Sequence, residues 1–208
     1  MPRLPGGYRA SLPKDRPIGL RTYPLRIGTV IWRVEATAPA DWTWDGFPAP
    51  RYRFDPISGG FRTRYAARTY EGAFRERYRD TGRVIPADHA TQYLIRLVSI
   101  RPVKVFDLRT QRNQDVLEVD DQINTGQEPR VWETCHRLAD AVRGWWSDLD
   151  AIVYRSRTTP QTSANCAFFA HEAFVTESWP LADRTDILVD MVLNHEFTVN
   201  WNLTGQLR

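Results

Sequence analysis

Lysine is almost absent from this 208-residue chain: Lys14 and Lys104 are the only two among 28 basic residues. The positive charge therefore sits on arginine, whose planar fork grips phosphate or carboxylate at two points and stacks on rings. An arginine preference in a GC-rich genome would give the same count. The excess of positive charge is small, since 25 acidic residues leave a formal charge of +3. Basic residues then act locally, and no broad field suited to nucleic acid is built. The helix-turn-helix, zinc-finger and RNA-recognition signatures are also missing, so no direct nucleic-acid binding is expected.

Cysteine is equally scarce. Cys135 and Cys166 are too few and too far apart to suggest a disulfide framework. No apolar run approaches the length of a membrane span, and the N-terminus lacks the hydrophobic stretch of a signal peptide. A reducing cytoplasm is the expected setting. The chain also lacks GxxxxGK[ST] and any GxGxxG after a strand, so a nucleotide would have to be held by side chains. His171-Glu172 and His195-Glu196 do not make HExxH, and no His and Cys residues have zinc spacing; no metal is expected. Without a GxSxG elbow, Ser156 could act as a nucleophile only with a His and an acid supplied by the fold, and a satisfied loop serine is the commoner case.

What is present can bury one sizeable core: 42% of residues are hydrophobic and 12% aromatic. Residues 1–26, rich in proline, glycine and arginine, read as an irregular arm before a single domain over 27–208. Strands are expected in GTVIWRVEA from Gly28, in RYRF from Arg51, in FRTRYAA from Phe61, and in TQYLIRLVSI and PVKVFDL around Arg101-Pro102. Residues 109–128 read as polar loop. PRVWETCHRLADAVRGWW, with Pro129 near its start, is an amphipathic helix. DAIVYRS and NCAFFA follow as strands, TDILVDMVL fits helix or strand, and FTVNWNL reads as a strand. The expected class is α+β, one mixed and largely antiparallel sheet with short helices.

The densest arginine and tyrosine stretch is RYRFDPISGGFRTRYAARTYEGAFRERYRD, Arg51 to Asp80. Thr69 is a plausible N-cap for a helix from Tyr70. On a wheel of about 100° per residue, Tyr70, Ala73, Phe74 and Tyr78 form an apolar stripe with Arg77 threaded into it. Glu71 and Arg75, four apart, make an ordinary surface pair worth roughly 0.3–0.5 kcal/mol. Glu76 lies on the opposite flank, about 120° from the stripe's centre, where it could edge a cleft beside the sheet. Its four-apart neighbours are Gly72 and Asp80, so no arginine neutralises it at that spacing; a solvated glutamate is the plainer reading of the wheel. A hairpin around DPISGG would bring Arg53 and Tyr65 onto neighbouring strands. An arginine, a ring and a carboxylate can build a dinucleotide site without glycine loops, or simply a cation–π surface cluster. Residue types alone do not separate the two.

The order of these elements resembles the RES-domain family, named for its arginine, glutamate and serine. The run Arg53-Phe54, then Tyr65-Ala66-Ala67, the helix carrying Glu76, the late YRSR with Ser156 and the NCAFF strand carry the likeness over roughly residues 28 to 170. The resemblance implies a fold like the catalytic domain of ADP-ribosyltransferase toxins, with NAD as substrate. Members cleave NAD at the nicotinamide–ribose bond by hydrolysis or phosphorolysis, or transfer ADP-ribose to a protein; most are toxins paired with an Xre-like antitoxin. Carried over, Arg53, Tyr65, Glu76 and Ser156 would be catalytic, while Arg33, Arg53, Phe54 and Asn165 would bind NAD. Glu76 would hold a ribose hydroxyl, Arg33 and Arg53 would clamp the pyrophosphate, and Tyr65 would wall the nicotinamide pocket. The arm and the tail from about residue 171 exceed a minimal member, and could cover the cleft, build a homodimer or replace antitoxin contacts. A catalytically silent nucleotide- or partner-binding module is the reading from another class.

Overall fold

A computed structural model describes residues 6–8, 12–158 and 164–201. The first half of the chain supplies β1 (Thr22–Leu25), β2 (Val30–Glu35), β3 (Arg64–Ala67), helix α1 (Tyr70–Arg77), β4 (Val84–Ile85), β5 (Tyr93–Ser99) and β6 (Val103–Asp107). Then come helices α2 (Gln111–Leu117), α3 (Gln122–Thr125) and α4 (Pro129–Trp145), strands β7 (Ala151–Arg155), β8 (Ala164–Phe168) and β9 (Phe174–Pro180), α5 (Thr185–His195) and β10 (Thr198–Val199). The chain is α+β, as its residue pattern predicts.

Eight strands form one mixed sheet in the order β1-β6-β7-β8-β3-β2-β5-β9. Every neighbouring pair in it is antiparallel except β6 and β7. A parallel pair cannot be closed by a tight turn, so α2, α3 and α4 form the crossover between them. Along α4 the apolar stripe works as its spacing dictates: Val131, Cys135, Leu138, Ala139 and Val142 have no exposed surface and pack in one cluster with Phe106, Ile152 and Ala167 of the sheet. Burial pushes the Cys135 thiol up to about 11, although Arg53 opposes it, so this cysteine acts as core.

Four sequence expectations need correction. RYRF is not a strand. The Asp55 carboxylate accepts the backbone N–H groups of Arg51 and Tyr52, and Asp55 N–H bonds the Tyr52 carbonyl, so local polar bonds fold the segment into turns despite its β-forming residues. Residues 109–128 carry α2 and α3 rather than loop alone. The arm's last residues make β1 at one edge of the sheet, with Tyr8 and Leu20 buried in the core beneath α4. Beyond residue 171 the chain supplies β9, paired with β5 over seven residues, and α5, whose Ile187, Leu188 and Met191 pack with Phe74 and Tyr78 of α1. The described residues of the arm and tail are therefore built into the sheet and its cover.

Candidate active site

β2 and β3 touch at a single register pair, Trp32 and Ala67, and then part. Continuing the ladder would oppose Val34 to Tyr65 and Glu35 to Arg64, but side chains take over there. Arg33 Nη1 donates to the Tyr65 carbonyl at 2.6 Å, and Glu35 is gripped by both Arg33 and Arg64. Burial alone would raise the Glu35 carboxyl; the two arginines outweigh it and hold Glu35 below the usual carboxylate range. The parted strands flank a cavity of about 530 Å³, closed on the other side by α1, the turn after it, Tyr154 and Asn165.

Helix α1 delivers Glu76 to this cavity. Its N-cap is Thr69, whose hydroxyl accepts the Gly72 N–H at 3.0 Å. Ala73, Phe74 and Tyr78 are buried on the stripe side, which turns Glu76 toward the ends of β7 and β8. Three donors converge on its Oε1: Ser156 Oγ at 2.7 Å, Thr158 Oγ1 at 2.8 Å and Asn165 Nδ2 at 2.8 Å. They come from residues 80 to 89 positions away in sequence, beyond β7 and at the start of β8. Among the described residues, no donor meets Oε2. Asn165 is almost fully buried, and among the described residues its Oδ1 has no partner. Across the β7–β8 pair it faces Tyr154, whose hydroxyl is held protonated by burial first and by the Glu76 charge second. By contrast Glu71 bonds Arg75 at 2.7 Å, with His195 at 3.5 Å, the plain pair its spacing predicts.

The cavity is cationic. Seven arginines line it against Glu35, Glu76 and Asp80. Arg33 and Arg64 share Glu35, and Arg79 pairs with Asp80. Arg53, Arg62, Arg77 and Arg157 have no carboxylate partner among the described residues. Arg53 is buried, with Nη2 on the Gly126 carbonyl at 2.6 Å, Nη1 on the Ile123 carbonyl at 3.2 Å, and its guanidinium over the Trp132 ring at 5.4 Å. Arg157 has its pKa lowered by burial first and then by the charges of Arg53 and Arg79. Cations that repel one another beside a cavity favour an anion between them.

Six of the seven sequence candidates border this space: Arg33, Arg53, Tyr65 and Asn165 line it with Glu76, and Ser156 bonds Glu76 from behind. Tyr65 is fixed there by its hydroxyl, which accepts the Phe54 N–H at 2.8 Å and donates to Asp55 at 3.2 Å. Arg33 reaches the cavity with its charge already shared with Glu35. Phe54 does not reach it. Its ring has no exposed surface and packs 4.9 Å from Tyr154, behind the wall, so it supports the site from the core and cannot stack on a ligand. Sequence reasoning missed Thr158, Tyr154 and Arg157. Tyr154 and Arg157 flank Ser156 in VYRSR, and only the fold shows that both face Glu76.

The family model described as RES domain matches residues 30–188. No curated protein matches the sequence. Among solved structures, a chain from the crystal structure of the M. tuberculosis MbcT–MbcA toxin–antitoxin complex aligns at 10% identity and a TM-score of 0.48, covering 80% of this chain and 92% of that one.

Proposed function

Since the chain belongs to the RES-domain family, we propose that it is an NAD-consuming enzyme that breaks the nicotinamide–ribose bond, acting as the toxin of a toxin–antitoxin pair with an Xre-like partner. The observation that carries the catalytic reading is the Glu76 carboxylate, with Oε1 held by three donors and Oε2 left for substrate in a cavity rich in arginine.

The roles follow from charge. When the glycosidic bond breaks, its electron pair goes to the pyridinium nitrogen, neutral nicotinamide departs and positive charge develops on the ribose. A fixed carboxylate beside that ribose interacts more strongly with the transition state than with the ground state, which is what lowers the barrier. Glu76 Oε2 holds a ribose hydroxyl and faces the developing charge. Arg53 and Arg157 take the pyrophosphate, because charge-assisted bonds from planar forks both bind and orient it. Tyr65 walls the nicotinamide, and Tyr154, kept protonated, donates rather than competes with Glu76. The electrophilic C1′ is then taken by water, releasing ADP-ribose and a proton, or by inorganic phosphate, giving phosphorylated ADP-ribose.

The test is to incubate purified protein with NAD, with and without phosphate, and to follow nicotinamide and the sugar product. Nicotinamide release is expected in at least one condition; phosphate-dependent loss assigns phosphorolysis and phosphate-independent loss hydrolysis. No loss of NAD, even with cell extract as a source of acceptor protein, contradicts the reading.

Thr158 gives this account a residue-level check. Its hydroxyl donates to Glu76, and its backbone N–H donates to Ser156 Oγ at 3.1 Å, which leaves the serine proton for Glu76. Thr158→Val keeps the shape and removes the donor, so kcat is expected to fall about tenfold with KM for NAD little changed. Thr158→Ser should restore most of the rate. Equal kcat for wild type and Thr158→Val would remove Thr158 from the positioning of Glu76.

A further inference from the structure

One end of the cavity is not used by that chemistry. Phe47, Tyr52 and Arg62 line it at the mouth, and Phe47 carries two guanidiniums, with Arg62 at 4.3 Å and Arg51 at 4.5 Å from the ring centroid. The only side-chain hydrogen bond of Arg62 among the described residues runs from Nε to the Asp45 carbonyl, and neither arginine has a carboxylate partner there. Several other surface arginines are paired with acids, as Arg96 is with Glu177, Arg101 with Asp150 and Arg184 with Asp186. Two like charges on one ring, neither ion-paired to a carboxylate among the described residues, keep capacity for an incoming anion.

The rim is also built in advance. Arg62 N–H bonds the Trp44 carbonyl at 2.9 Å, and the backbones of residues 46 and 59 approach so closely that a Cβ on Gly46 would lie 2.0 Å from the Gly59 carbonyl oxygen. Only glycine fits there, and the loop presenting Phe47 is clamped to the loop before Arg62. A continuous series of rings leads inward from it. Phe47 to Tyr52 is 6.3 Å, Tyr52 to Tyr65 is 5.8 Å, and Tyr65 to Tyr154 is 6.5 Å, ending beside Asn165 and Glu76. With a nicotinamide ribose at Glu76, this ring series gives an extended dinucleotide a path toward the rim.

We propose that this rim binds a phosphate on the adenosine, so that the site accepts the 2′-phosphorylated dinucleotide NADP at least as well as NAD, with Arg62 as the specificity-determining residue. Arg62, with Arg51 beside it, takes the extra phosphate, Phe47 holds the two guanidiniums in place, and Tyr52 offers a ring face to the adenine. The inference rests on the NAD-cleavage reading for its orientation, with the ribose next to nicotinamide placed at Glu76.

Two measurements test it together: kcat/KM for NADP and for NAD in wild type and Arg62→Gln, and calorimetric binding of 2′,5′-ADP against 5′-AMP to both proteins. Wild type is expected to cleave NADP no less efficiently than NAD, and Arg62→Gln to lower the NADP value about tenfold with little change for NAD. Tighter binding of 2′,5′-ADP than of 5′-AMP, lost in Arg62→Gln, supports the rim even if neither dinucleotide is cleaved; that outcome would sink the cleavage reading and spare this one. Equal losses for NAD and NADP would assign Arg62 to the pyrophosphate and overturn the proposal. So would NADP turnover far below that of NAD, or equal binding of the two adenosine phosphates.

Discussion

Glu76→Gln is expected to lower nicotinamide release from NAD by about 10²–10³-fold, the scale set by removing one preorganised electrostatic group from a site. The amide is isosteric with the carboxylate, and its carbonyl oxygen can still accept from Ser156, Thr158 and Asn165, which lie 2.7, 2.8 and 2.8 Å away. What it loses is the negative charge facing the ribose. The stripe that holds α1 on the sheet, Ala73, Phe74 and Tyr78, does not involve this side chain. Thermal unfolding should therefore stay close to wild type while kcat collapses. A variant that lost activity only in step with its melting temperature would recast Glu76 as a structural residue.

Arg53→Met is expected to damage both stability and substrate binding. Arg53 ties the RYRF turn to the α3–α4 junction through the Ile123 and Gly126 carbonyls; its side chain and the Ile123 bond are buried, and the Gly126 bond is half-buried. Methionine keeps the apolar stem but leaves those carbonyls without their donor, at a cost of about 2–3 kcal/mol readable as a lower urea midpoint. The variant also removes one of the cations credited with the pyrophosphate, so KM for NAD should rise about tenfold. Arg53→Lys supplies a charge but no fork, and one ammonium should recover the charge effect without bridging both carbonyls. An unchanged urea midpoint in Arg53→Met would remove the tether, and an unchanged KM would remove the clamp.

Much of the scaffold was legible in the residues because single elements specify themselves. Thr69 caps α1, the wheel separates Glu71 from Glu76, and Pro129 with the α4 stripe fixes the crossover helix. VIWRVE and YLIRLVS pair over six residues as their β-branched content suggests. The misreadings lie where long-range partners or local polar bonds decide. Asp55 turned RYRF away from strand, and β1 and β9 are edge strands whose identity depends on β6 and β5. The site was legible in part for the same reason. The side of α1 on which Glu76 lies follows from α1 alone, whereas the convergence of Thr158 and Asn165 on one oxygen needs the β7–β8 register and the return of the chain across the sheet. Phe54 was misplaced because adjacency to Arg53 in sequence says nothing about which of two neighbours faces a cavity.

The most direct test is nicotinamide release from NAD by wild type, Glu71→Gln and Glu76→Gln measured side by side under saturating NAD. Glu71 bonds Arg75 outside the cavity lining, so its variant should match wild type, while Glu76→Gln should be nearly silent with an intact fold. Equal activity in all three proteins, or equal loss in both variants, would contradict the placement of the catalytic carboxylate at Glu76.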